Sequence, residues 1–280
     1  MTERIVADGA LELCAETFGD STHPSLLLIM GAQASMLWWP RPFCEALAAR
    51  GFHVIRYDHR DVGRSTTYGQ GQATYTIHDL IGDVFRVLDG LKIDRAHLVG
   101  FSMGGYLAQG AAIAEPQRVA SLTIWGAGPL DAGDDLPGMD PALLDFLMSA
   151  FPHDWSDEAA VIDFHVEVQR RMAGPRHGFD EDAQRALAEA EFRRARDRAS
   201  ALNHAAYDTT HPGGARAIAA PTLIVHGAAD PVTPVAHAHA LADQIDGARL
   251  LVLDGVGHEL HPATWPEVIK AVVENARRAA

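Results

Sequence analysis

Gly100-Phe101-Ser102-Met103-Gly104 sets one hydroxyl between two glycines, where an apolar run (His97 to Val99) gives way to a helical pattern. This is the spacing of a nucleophile elbow, a strand-to-helix turn so tight that neighbouring positions must be small and the serine projects from the bend. A serine hydroxyl is a weak nucleophile at neutral pH and needs a base, normally histidine, oriented by a carboxylate. The chain offers both further on. Asp254-Gly255-Val256-Gly257-His258 follows the apolar run Leu250 to Leu253, and Gly227-Ala228-Ala229-Asp230-Pro231 follows the run Thr222 to His226. Ser102, Asp230 and His258 therefore stand in the chain order nucleophile, acid, base. Asp254 is a rival for the acid, but it shares a short loop with His258 and reads as a turn former.

The chemistry also needs donors for an oxyanion. The N–H of Met103, the residue after the serine, supplies one. The other is expected in Met30-Gly31-Ala32-Gln33, from Ala32 with Gly31 as the alternative.

These loops require strands to carry them. Apolar runs at Leu26 to Ile29, His53 to Tyr57, Ala96 to Val99, Leu122 to Trp125, Thr222 to His226 and Leu250 to Leu253 are bounded by Gly, Pro or Asp and read as buried strands. Between them, Ile77, Leu80, Ile81, Val84, Leu88 and Leu91 follow helical spacing, with Thr76 and Asp79 placed as a capping box. Strands alternating with helices imply an α/β fold, a mostly parallel doubly wound sheet covered on both faces. The alternation stops between Asp131 and about Ala215, in a segment rich in Asp, Glu, Arg and Ala. The expected organisation is a core from residues 1–130 and 216–280, with residues 131–215 inserted as a helical lid over one end of the sheet.

With these positions assembled, the chain resembles the α/β-hydrolase fold family over nearly its full length, and within it the small bacterial carboxylesterases and methylesterases of the aclacinomycin methylesterase kind. The resemblance rests on Glu3-Arg4-Ile5-Val6, Leu28-Ile29-Met30-Gly31, the segment Val54 to Asp61 with Gly63 to Thr67, and Ser102-Met103-Gly104. It is strong up to about Trp125 and from Pro221 onward, and fades across the lid. Many relatives carry His-Gly where Met30-Gly31 stands here; the donor is backbone, so the hole is expected intact. The resemblance implies a serine hydrolase acting on carboxylic esters of small apolar molecules through an acyl-enzyme. Cofactor-free carbon–carbon bond hydrolysis or perhydrolysis on the same triad, and a ligand-binding receptor without turnover, remain as alternatives. Epoxide hydrolase and haloalkane dehalogenase readings fail, because those relatives have an aspartate where Ser102 stands.

Composition sets further limits. The chain has 280 residues, 48% of them hydrophobic, enough for one substantial core. With 23 basic and 37 acidic residues the net charge is −14, which opposes binding to a nucleic-acid backbone. No membrane partner is expected, since the longest apolar run, Leu26 to Met30, is too short to span a bilayer. Only Cys14 and Cys44 could pair, so no disulfide framework is expected and a cytoplasmic location is the expectation. No metal is expected, because His237 and His239 lie two apart on a helical pattern and diverge. No cofactor is expected either, since Gly82 and Gly90 fit no nucleotide-binding pattern. No oligomeric state follows from the sequence. Asp58 to Ser65, dense in charge, reads as a hydrogen-bonded structural turn behind the triad. Met36, Trp38, Trp39, Phe146, Phe151, Trp155, Phe164 and Tyr207 are the candidates for core and for an apolar pocket above Ser102.

Overall fold

The computed structural model describes residues 3–132, 135–151, 154–205 and 213–279. Each apolar run anticipated as a strand forms one: β3 (Ser25–Ile29), β4 (His53–Tyr57), β5 (Ala96–Phe101), β6 (Val119–Trp125), β7 (Thr222–Gly227) and β8 (Arg249–Leu253). The first five are largely buried as expected, but β8 lies at the sheet's edge, where Leu253 is buried and Val252 is exposed. These strands pair in parallel. Two further strands, β1 (Arg4–Asp8) and β2 (Leu11–Phe18), form an antiparallel hairpin that joins the sheet through β4. Periodicity hides them, because β2 is buried almost throughout and β1 almost nowhere. Their signal was the dipeptide Asp8-Gly9, a hairpin turn in which Gly9 takes φ 62°. The resulting sheet has eight strands in the order β1-β2-β4-β3-β5-β6-β7-β8.

Helices α2 (Ile77–Gly90), α3 (Met103–Ala114) and α7 (Ala236–Gln244) pack on one face, and α1 (Arg41–Ala48) and α8 (Trp265–Arg277) on the other. The Thr76 box closes α2 as anticipated: Thr76 N–H donates to Asp79 Oδ2 at 2.9 Å. Register then fixes the working edge. Ile29 lies opposite Gly100, Phe101 opposite Trp125, Trp125 opposite Val225, and Gly227 opposite Leu253. The carboxyl ends of β3, β5, β6, β7 and β8 therefore open onto one edge, where ligands bind in open α/β sheets.

Between β6 and β7 the described residues form α4 (Pro141–Ser149), α5 (Glu158–Met172) and α6 (Glu181–Arg194), with no strand among them. Asp140, Asp157 and Asp180 cap their N-termini. Val161, Ile162, Val166, Ala188 and Phe192 form a small core between α5 and α6. A buried ion pair fastens α6 to the sheet, with Arg194 Nη1 2.7 Å from Asp58 Oδ2 and Arg194 Nε donating to Glu3 Oε1 at 2.9 Å. Asp58 also accepts from the Met36 and Arg64 amides, both at 2.9 Å.

Replacing Arg194 with Leu would strand the Asp58 carboxylate away from its counter-charge. The expected loss in unfolding free energy, measured in urea, is about 3–5 kcal/mol. A loss below about 1 kcal/mol would show that the pair contributes no net stability.

Candidate active site

Ser102 caps the N-terminus of α3 with φ 54° and ψ −122°, a backbone conformation that L-residues rarely adopt. Hydrogen bonds hold the turn: Ser102 N–H donates to Trp125 O and Gly105 N–H to Ser102 O, each at 2.8 Å. The flanking glycines are there for space. A Cβ on Gly100 would collide with the Gly104 carbonyl, and one on Gly104 with the Ile29 carbonyl. A Cβ on Gly31 would lie 3.2 Å from that of Ser102, so the Met30 to Gln33 loop passes directly over the serine.

His258 and Asp230 meet across the loops that leave β8 and β7. The 2.7 Å contact from His258 Nδ1 to Asp230 Oδ2 is made with both side chains buried. The other carboxylate oxygen, Oδ1, accepts from the Val232 and Thr233 amides, each at 2.8 Å. With both oxygens occupied the carboxylate is fixed, and it can orient the imidazole with Nδ1 protonated and Nε2 free to accept. His226 stands 3.7 Å from Asp230 Oδ2, but its Nε2 bonds Thr233 O at 2.6 Å and burial lowers its pKa. Asp254 is exposed and contributes only its carbonyl, which accepts from Arg176.

Ser102 and His258 share the wall of a cavity of about 340 Å³, with no direct hydrogen bond between them. The Phe101 ring lies tilted against His258, centroids 4.8 Å apart, and a Cβ on Gly126 would come within 3.2 Å of the imidazole. The cavity is roofed by Met139, Leu147, Phe151, Phe164, Val168, Met172 and Leu187 from the segment after β6. Of the aromatics singled out in the sequence, Trp38, Phe151 and Phe164 line it. Met36 and Trp39 are core, Phe146 stacks on Phe164, and Tyr207 lies outside the described residues.

Ala32 and Gly31 line the same cavity, and Met103 begins α3 beside it. The Ala32, Gly31 and Met103 amides engage no partner among the described residues. Gln33 N–H does: it donates to His204 Nδ1 at 2.9 Å, with Gln33 at φ 62°. That fixes the tautomer, since His204 Nε2 then carries the proton it donates to Arg60 O at 2.7 Å. His59 Nε2 reaches Met30 O at 2.9 Å, and burial pushes its pKa down to about 3. Two neutral buried histidines thus brace both ends of the loop that carries Gly31 and Ala32. Neither was legible in the sequence, where nothing marks one histidine among 15 as buried.

Also missed was a zipper between the end of α5 and the His258 loop. His258 N–H donates to Met172 O at 2.8 Å, Arg176 N–H to Gly255 O at 2.9 Å, and Gly174 N–H to Glu259 Oε1 at 2.8 Å. Gly174 is required there, because its Cβ would collide with the backbone of Gly255 to Gly257. His237 and His239 both fall on α7, as the spacing anticipates.

The chain is similar in sequence and in fold to known proteins. A family profile described as the alpha/beta hydrolase fold matches residues 24–262. A rhodomycin D methylesterase of Streptomyces sp. (strain C5), DauP, is 32% identical, the alignment covering 100% of this chain and 99% of that protein. The rhodomycin D methylesterase DnrP of Streptomyces peucetius is 30% identical over the same shares. Among solved structures, the enol-lactonase from Burkholderia xenovorans LB400 superposes with a TM-score of 0.78 at 25% identity, covering 98% of this chain and 100% of that one. The meta-cleavage product hydrolase of Pseudomonas fluorescens IP01 also gives 0.78, at 20% identity with 99% and 98% covered, a likeness of fold alone.

Behind the Met30 to Gln33 loop, the Ser35 hydroxyl donates to Glu191 on α6. Burial, with repulsion from Asp58 added, pushes the Glu191 carboxyl up to about 7. Between its ordinary value of 4.5 and 7 the unfolded chain releases this proton while the folded chain keeps it, so this group withdraws stability as pH rises through that window. Glu191→Gln removes the effect. The melting temperature of the variant relative to wild type is expected to rise by several degrees between pH 5 and pH 8, as followed by calorimetry; a difference constant with pH would show that Glu191 titrates normally.

Proposed function

The chain belongs to the α/β-hydrolase fold family and is a hydrolase; on that footing we propose that it is a serine esterase cleaving carboxylic esters, methyl esters among them, of apolar small molecules. The observation that carries this reading is the fixed Asp230–His258 pair, with Nδ1 to Oδ2 at 2.7 Å, whose histidine shares one cavity with a serine held on an elbow. The full-length similarity to two rhodomycin D methylesterases supports the ester as the bond attacked.

In this mechanism Ser102 Oγ attacks the ester carbonyl while His258 Nε2 takes its proton. Asp230 steadies the imidazolium that forms. The N–H groups of Ala32 and Met103 receive the developing oxyanion, and the N-terminus of α3 adds its positive dipole end there. Imidazolium then protonates the departing alcohol. Water, deprotonated by the same histidine, attacks the acyl-serine, releasing the acid and restoring the hydroxyl. Gly31 and Ala32 stay in place through the cycle because His59 and His204 hold Met30 and Gln33 on either side.

Residues 131–215 act in this reading as the lid that shapes the substrate space. The roof of Met139, Leu147, Phe151, Phe164 and Leu187 favours apolar substrate bodies. The zipper from Met172 to Arg176 ties this segment to the His258 loop, so the end of α5 and the base move together.

The test is hydrolysis of p-nitrophenyl esters of graded acyl length by wild type and by Ser102→Ala, with a vinylogous diketone as a carbon–carbon control. Ester turnover falling by a factor of about 10⁴ or more in the variant is the expected result. Turnover of the diketone without turnover of any ester would contradict the esterase reading.

A further inference from the structure

The wall of the cavity formed by α5 and α6 is less apolar than its roof. His165 and Gln169 lie four residues apart on α5 and so share one helical face. Gln184, one turn into α6 across the hairpin, completes the patch, and all three line the cavity. None of these side chains makes a hydrogen bond to the described residues, and Gln184 Oε1 is shielded from solvent without a partner among them. Polar groups enclosed in a well-packed wall are ordinarily paired within the protein. Here the pairing capacity is left over: two amides that donate and accept, and an imidazole.

The patch carries no charge. Burial lowers the His165 pKa to about 4, so the ring is neutral at pH 7. No Arg or Lys is among the described residues lining the cavity. The one lining carboxylate, Glu259, already accepts from the Gly174 and Gly257 amides. An anionic group on the substrate would find no counter-charge among the described lining residues, and a cationic one would find only Glu259, whose Oε1 is held by the two amides; either would lose its hydration on entry. A neutral oxygen would find donors and acceptors.

We propose that His165, Gln169 and Gln184 form a neutral hydrogen-bonding subsite that selects esters bearing an uncharged hydroxyl or carbonyl group on an otherwise apolar, aromatic-sized body. This rests on the esterase reading of the cavity and narrows its substrate class. The ester end lies at Ser102, the body packs between Trp38, Phe151 and Phe164, and the remote oxygen reaches the α5–α6 wall. A site built to bond a substrate hydroxyl rejects the analogue lacking it, because its own polar groups are then left unpaired.

The experiment is a fluorescence titration of Ser102→Ala, which binds esters without consuming them. The probes are methyl naphthoate and its isomers hydroxylated on the far ring. At least one hydroxylated isomer is expected to bind about tenfold more tightly than the parent ester. That preference should shrink to about twofold or less when Gln184→Leu or Gln169→Leu is added. Each preference is a ratio within one protein, so a variant that folds incompletely still reports it, and either glutamine serves if the other replacement prevents folding. Equal binding of all probes, binding of none, or a preference that survives both replacements would overturn the subsite. The esterase reading is tested separately by turnover of p-nitrophenyl butyrate in wild type, so failure of one leaves the other readable.

Discussion

A serine held at positive φ is the constraint around which this structure is arranged. Such a residue costs on the order of 1–3 kcal/mol and persists only where its surroundings over-determine it. Here they do so from three sides: Trp125 O fixes its amide, α3 begins at the next residue, and the absence of side chains at Gly31, Gly100 and Gly104 lets β3, β5 and α3 approach closely. The strained turn sets Ser102 in the wall of the cavity, with Met103 opening α3 at the next position. Remove the close packing and the serine relaxes to an ordinary turn, with its neighbouring donor no longer aimed.

The remaining parts of the site are held by groups that belong to distant stretches of chain. Asp230 is fixed by amides two and three residues ahead, but His258 is also anchored through its own N–H to Met172, at the end of α5. The Met30 to Gln33 loop is braced by His59 after β4 and by His204 from the segment after α6. The stretch between β6 and β7 thus supplies the cavity's roof and also part of the framework beneath it. Buried polar contacts of this kind stabilise only when complete, since a half-satisfied network leaves desolvated groups without partners. Arg194–Asp58, Glu191–Ser35 and His204–Gln33 together join α6 and its neighbours to the sheet.

Much of this was legible in the sequence, for a physical reason. Strands of a parallel sheet are buried on both faces and read as uninterrupted apolar runs, so the elements at Leu26, His53, Ala96, Leu122, Thr222 and Leu250 stood out. The placement of Ser102, Asp230 and His258 just after such strands was legible for the same reason, since each follows the end of an apolar run. The β1–β2 hairpin escaped because β1 is exposed almost throughout and Glu12, Glu16 and Thr17 break the apolar run of β2, although Asp8-Gly9 marked its turn. His59, His204 and Glu191 escaped because burial of a polar side chain is set by tertiary packing and leaves no local mark. Gln169 and Gln184 escaped for the same reason: on charged helices, a glutamine facing a cavity looks like one facing water.

The central claim is that Ser102 is a nucleophile that forms a covalent bond to substrate carbon or its mimic, driven by His258. The most direct measurement is intact-protein mass spectrometry after exposure to a p-nitrophenyl alkylphosphonate, with peptide mapping of the adduct. The account predicts one phosphonyl group per chain, on Ser102, with labelling slowed by several orders of magnitude in His258→Ala. Labelling at another residue, or labelling of Ser102 at an undiminished rate without His258, would contradict it.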